Sequence, residues 1–113
     1  MKDLINYSEF LKIEIRVGTI ISAVLNNELQ KPSIVLKINF GKEIGIKKSS
    51  AQLTKNYKAE QLIDKQIVAV INFPQKQIGN LISEVLVLGF PDHNGEPILI
   101  SPDMEVANGG KLY

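Results

Sequence analysis

The chain has no cysteine and no tryptophan, and its 113 residues include a single histidine, His93. Without thiols there is neither a disulfide nor cysteine chemistry. One imidazole with no thiolate argues against a zinc site, and no other metal or cofactor is expected. His93 lies between Asp92 and Asn94 in a turn and is read as a turn residue, not a catalytic base. No Ser-His-Asp set, Walker A loop or dinucleotide fingerprint is present, so a binding protein is expected, not an enzyme. The longest apolar runs, 67–71 and 85–88, fall far short of the roughly 20 residues that cross a bilayer, and no membrane insertion is expected. The N-terminal stretch carries Asp3 and Glu9 and lacks an apolar centre, unlike a signal peptide. A cytoplasmic location follows as the expectation.

Charge is nearly balanced, at a formal +1, but unevenly placed. Residues 31–76 hold nine lysines against Glu43, Glu60 and Asp64, a net of +6, whereas 77–113 hold Lys111 against five acids, a net of −4. A basic middle beside an acidic tail suits a polyanion, although scattered lysines also serve solubility alone.

Patterning is that of a small β protein in one domain, 1–113. Ser8 is a candidate N-cap for a single helical turn over 7–11. In 13–24, Ile13, Ile15, Val17 and Ile21 fall on one face and Glu14, Arg16, Gly18 and Ser22 on the other. Gly18 in mid-strand signals a bulge or bend. Ile34, Leu36, Ile38 and Phe40 alternate with polar residues in a second strand. Gly41-Lys42 turns the chain into a return strand over 43–47. Residues 47–52 read as a polar connection and 57–64 as a short helix. The runs 67–71 and 85–88 fit buried strands, Pro74 makes 73–80 a loop or edge, and 98–100 is a last short strand. Five main strands with one short helix after the third, and short terminal extensions, predict an all-β, five-stranded barrel of the oligonucleotide/oligosaccharide-binding (OB) type. An SH3-like barrel or a small sandwich shares this pattern.

Several strings carry a family resemblance. Ile15-Arg16-Val17-Gly18-Thr19-Ile20 resembles the opening strand of the tRNA-binding OB domains, which occur at the C-termini of some methionyl-tRNA synthetases and as free-standing tRNA-binding proteins. The segment 72–79, Asn-Phe-Pro-Gln-Lys-Gln-Ile-Gly, followed by Ser83-Glu84, resembles their second motif. The segments 44–55 and 83–89 are most similar to one branch, the CsaA proteins. The resemblance implies an OB fold, a homodimer, binding of tRNA or other structured RNA, and a chaperone role in protein export. One departure is the loop Gln75-Lys76-Gln77, where the family is usually more basic; lysine lacks arginine's planar fork.

The candidate RNA-binding residues are Asn72, Phe73, Lys76, Ser83, Glu84, Lys47, Lys48 and Arg16. Asn72 offers an amide for a base edge or caps its own turn. Phe73 is the stacking candidate, Lys76 a phosphate contact, and Glu84 an acceptor for a base amine or for loop amides. Lys47, Lys48, Arg16 and Lys37 extend a basic rim. The competing reading is a chaperone that holds unfolded or preprotein peptides in an apolar groove. Residues 98–100 and Val106 offer apolar surface for a homodimer or for closing the barrel.

Overall fold

A computed structural model of the protein describes residues 1–28 and 30–113. Its centre is one long strand, β1 (Ile15–Asn26), which changes partners along its length. Residues 15–19 pair antiparallel with β4 (Gln66–Val70), from Ile15 opposite Val70 to Thr19 opposite Gln66. Residues 19–26 pair antiparallel with β2 (Ser33–Asn39), with a register shift between Ile20 and Ser22. A bulge adds twist and bends the strand that carries it, and here it lets one strand serve two neighbours that diverge. β3 (Ile46–Ala51) pairs with β2 and β7 (Leu86–Val87) with β4. The sheet order is β3-β2-β1-β4-β7, an antiparallel, curled half-barrel of OB type. Two hairpins flank it: β5 (Lys76–Ile78) with β6 (Leu81–Ser83), and β8 (Gly89–Pro91) with β9 (Pro97–Leu99). Two single-turn helices, α1 (Tyr7–Phe10) and α2 (Ala59–Leu62), complete the described elements. As expected, α2 follows the third strand.

The concave side holds the core: Ile20, Ile34, Leu36, Ile38, Phe40, Leu53, Leu62, Ile67, Ala69 and Val85. The alternation in β2 delivers Ile34, Leu36 and Ile38 to it directly. In β1 the core-facing positions are the even ones, Gly18 and Ile20, and the bulge at Ile21 moves them to Ala23 beyond it. Ile20 is fully buried and Ile21 is exposed, the reverse of the expected assignment. Gly18 also lies on the core side: a methyl group there would come within 2.6 Å of Ile38 Cγ2 and 2.8 Å of Phe40 Cδ1. The bend is therefore at Ile21, and Gly18 serves close approach instead. Val17 points away from the core, yet it is 6% exposed because the C-terminal segment covers it. That segment lies along the edge of β1 that β2 leaves vacant. The Val17 amide donates to the Gly110 carbonyl (3.0 Å), Gly109 donates to Val17 (2.8 Å) and Leu112 to Ile15 (2.9 Å).

Other boundaries differ for local reasons. The third strand starts at Ile46, not Glu43, because Gly41 and Gly45 both take positive φ in a wider turn. Residues 47–51, read as a polar connection, are strand: Ser49 lies opposite Leu36 and is buried, while Lys48 faces outward. The loop assigned to 73–80 contains β5, which turns at Gly79 (φ 60°) into β6. Asn6, not Ser8, caps α1. Its Oδ1 accepts from the Glu9 amide (3.0 Å) and Glu9 Oε1 accepts from the Asn6 amide (3.1 Å), a closed capping box.

Asp92 fastens the β8–β9 hairpin to the loop before α2. The Asn56 Nδ2–H donates to Asp92 Oδ2 (3.0 Å), and the Asn94 and Glu96 amides donate to Oδ1 (2.8 and 2.9 Å). The Asn56 bond first, then these amides, hold its carboxyl below the usual carboxylate range. A depressed folded value adds stability above the unfolded value, which is lost as pH falls from about 4 through the folded one. Denaturant melts at about pH 7 and pH 3 should show Asp92→Asn losing stability mainly at the higher pH. Gly18→Ala overpacks the Ile38–Phe40 contact and should cost about 1–3 kcal/mol, read from the urea midpoint with an unchanged slope.

Candidate nucleic-acid interface

β3 is one end of the curled sheet, and Ser83 and Glu84 close it off where a fifth ladder would otherwise run. The Glu84 amide donates to the Lys48 carbonyl (2.8 Å), and the Lys48 amide donates back to Glu84 Oε1 (3.0 Å). Two residues farther along β3, the Ser50 amide donates to Ser83 Oγ (3.1 Å). Ser50 Oγ in turn donates to Ser33 Oγ (3.1 Å), so the buried hydroxyls of Ser33 and Ser83 both find their partner at Ser50, one at its side chain and the other at its amide. Gln75 Nε2 reaches the second oxygen of Glu84 at 3.4 Å. The pair Ser83-Glu84 thus acts as a clasp between β3 and the β5–β6 hairpin.

Beside the clasp, between β3 and β7, lies a groove of about 490 Å³. Its floor is apolar, with Leu53, Ile78, Val85, Val87 and Leu99. Phe73, Lys76, Ser83 and Glu84 lie along its margin. Phe73 is 52% exposed, since Pro74 keeps it outside the hairpin ladder, which begins at Lys76. A half-exposed aromatic ring on an apolar groove, with an ammonium beside it, can stack a planar base and neutralise its phosphate. A second cleft of about 590 Å³ is lined by Thr19, Asp64, Lys65 and Glu105 among others. It mixes both charge signs, and none of the candidate residues borders it.

Four of the eight candidates therefore meet in one groove: Phe73, Lys76, Ser83 and Glu84. Lys47 and Lys48 lie on β3 next to it. The remaining two are engaged elsewhere. Asn72 Oδ1 accepts from the Glu14 amide (2.9 Å) and its Nδ2 donates to the Lys12 carbonyl (2.7 Å), pinning the chain as it enters β1. Arg16 donates from Nε to Glu14 Oε2 (3.0 Å) and from a terminal nitrogen to the Gly109 carbonyl (2.8 Å). Its guanidinium anchors the C-terminal segment, with Lys111 3.7 Å from the other Glu14 oxygen. β4 and β7 are neighbours, as convergence of Asn72 with Ser83-Glu84 required, but the two ends turn to opposite partners.

One feature is visible only once strand limits are known. Among the described residues, the strands contain no aspartate or glutamate, while Arg16, Lys37, Lys47, Lys48 and Lys76 lie within them. All twelve acids are in loops, turns and helices. The sign of the sheet surface is set by lysine.

Comparison with known proteins gives the same picture. A crystal structure of chaperone CsaA from Bacillus anthracis superposes with a TM-score of 0.92 at 46% identity, covering 98% of this chain and all of that one. The CsaA chaperone protein of Picrophilus torridus superposes with a TM-score of 0.89 at 51% identity, over 97% and 100% of the two chains. Methionine–tRNA ligase of Methanococcoides burtonii is 33% identical over 112 residues, 99% of this chain but 16% of the ligase. The chain spans only about 15% of the length of the curated synthetases it matches. The family model described as a putative tRNA binding domain matches residues 15–111, from the start of β1 to the segment that seals its edge, and the chain belongs to that family.

Proposed function

We propose that the protein binds tRNA or a similarly structured RNA at the groove between β3 and β7, beside the β5–β6 hairpin, and that it does so without catalysing a reaction. The observation that carries this reading is Phe73, half exposed over an apolar floor, beside strands that bear lysines and no acids. An unpaired base stacks on Phe73, and Lys76 takes the adjoining phosphate. Glu84, with both oxygens already accepting from Lys48 and Gln75, shapes the groove wall and disfavours an anion at that point. The Methanococcoides ligase and its relatives are enzymes over regions this chain does not match, which agrees with a binding role here.

A homodimer fits the exposed apolar surface of the N-terminal arm. Leu4 is 92% and Ile5 67% exposed, and α1 buries none of its residues. A single helical turn is not stable on propensity alone, and a second copy of the chain would cover it. Two grooves on one dimer would raise the apparent affinity for a single folded RNA through effective concentration. Sedimentation at micromolar concentration should show twice 12.5 kDa, and a species at 12.5 kDa alone overturns the dimer.

The apolar floor also favours a second reading, a chaperone for unfolded peptides, and the two CsaA neighbours are named as chaperones. Salt separates the two, since RNA binding weakens with salt through counterion release and apolar binding does not. Filter binding of total tRNA should show Phe73→Ala losing about 1–3 kcal/mol per stacked base, roughly 5- to 150-fold. Lys76→Gln should shrink the salt slope by about 0.7. If both variants bind as the wild type does, this groove is not the RNA site.

A further inference from the structure

Lys37 on β2 and Lys48 on β3 lie directly opposite each other in the antiparallel ladder, and both are exposed. Side chains at such positions have Cβ atoms about 4.5–5.5 Å apart, and like charges there destabilise a sheet. No ion pair among the described residues offsets the repulsion. The position across from Lys37 on β1 is Ser22, the strands carry no acid, and the ion pairs among the described residues are those of Glu14 with Arg16 and Lys111. Glu84 is adjacent, but its Oε1 accepts from the Lys48 amide instead of its ammonium. The same contact, together with the Glu84 amide on the Lys48 carbonyl, fixes Lys48 in register so that β3 cannot slip to separate the charges.

We infer that Lys37 and Lys48 form a phosphate-binding pair for the RNA backbone, held at some cost to the stability of the free protein. This rests on the RNA reading above and adds Lys37 to its surface. A phosphodiester between the two ammonium groups would turn a repulsion into two charge-assisted hydrogen bonds. The path of the backbone then crosses the strands from Lys76 on β5, over β6 at Ser83 and clear of the Glu84 carboxylate, to Lys48 and onto Lys37. Strand spacing of about 4.8 Å puts Lys48 and Lys37 one step apart, with Lys76 farther off on the far side of β6.

The test combines thermal melts with tRNA titrations for the full chain, using Lys37→Gln, Lys48→Gln and Lys58→Gln, an exposed lysine at the start of α2. At about 20 mM salt, where screening is weak, each of the first two variants should melt a few degrees above the wild type. At about 500 mM salt the difference should vanish. Both should bind tRNA more weakly, with a salt slope smaller by about 0.7–0.9, while Lys58→Gln matches the wild type in both measurements. Wild-type tRNA binding that the two variants retain in full, with an unchanged slope, overturns this inference alone. A wild type that binds no tRNA removes the groove reading and this one together. Melting points at low salt that stay at or below the wild type show that the pair is not repulsive and overturn the stability cost.

Discussion

One strand cannot pair with two neighbours that diverge unless it bends, and β1 must do so for this fold to exist. The register shift at Ile21 supplies the bend. The approach of β1 to Ile38 and Phe40, with no Cβ at Gly18, lets the bent strand sit against the core. Other features follow from this. Once β2 leaves the edge of β1 at Thr19, the backbone groups of residues 15–17 need partners, and the C-terminal segment supplies them. Arg16 and Glu14 then hold that segment in place. A residue that reads in the sequence as a basic rim is thus spent on finishing the sheet.

The groove arises where the sheet ends. Main-chain pairing stops at β3, and Ser83 and Glu84 take over with an amide, a hydroxyl and a carboxylate. Because only one of these contacts joins main chain to main chain, the wall they make need not continue as a strand, and the groove opens beside them. The same local geometry exposes Phe73, since a proline next to it excludes the chain from the ladder. Groove, ring and clasp are consequences of one unfinished edge.

Much of this was legible in the sequence. Strict alternation in 34–40 and the unbroken apolar run 67–71 marked β2 and β4, and the single helix fell where it was expected. The family strings located the motif around 72–84. What was not legible depended on tertiary partners. A bulge flips the face of every residue beyond it, so apolar alternation over 13–24 could not say which of Ile20 and Ile21 faces the core. Residues 47–51 look like a polar loop because their outer face is solvated and their edge is met by side chains. The amide of Asn72 could be assigned neither to a base nor to a turn until residues 12–14 were seen beside it, some sixty positions away.

The clasp has a mechanical consequence. A ladder resists separation through many parallel bonds that must fail together, whereas the seam at β3 hangs on a few contacts made by two residues. Such a joint is the cheapest place for the half-barrel to breathe, and local openings of this kind proceed without global unfolding. Hydrogen exchange at the Lys48 and Ser50 amides would report that breathing directly. The hairpin β5–β6, which carries Lys76 and lies beside Phe73, moves with one side of the joint. An opening at that joint would widen the groove while leaving the core of β2, β1 and β4 in place.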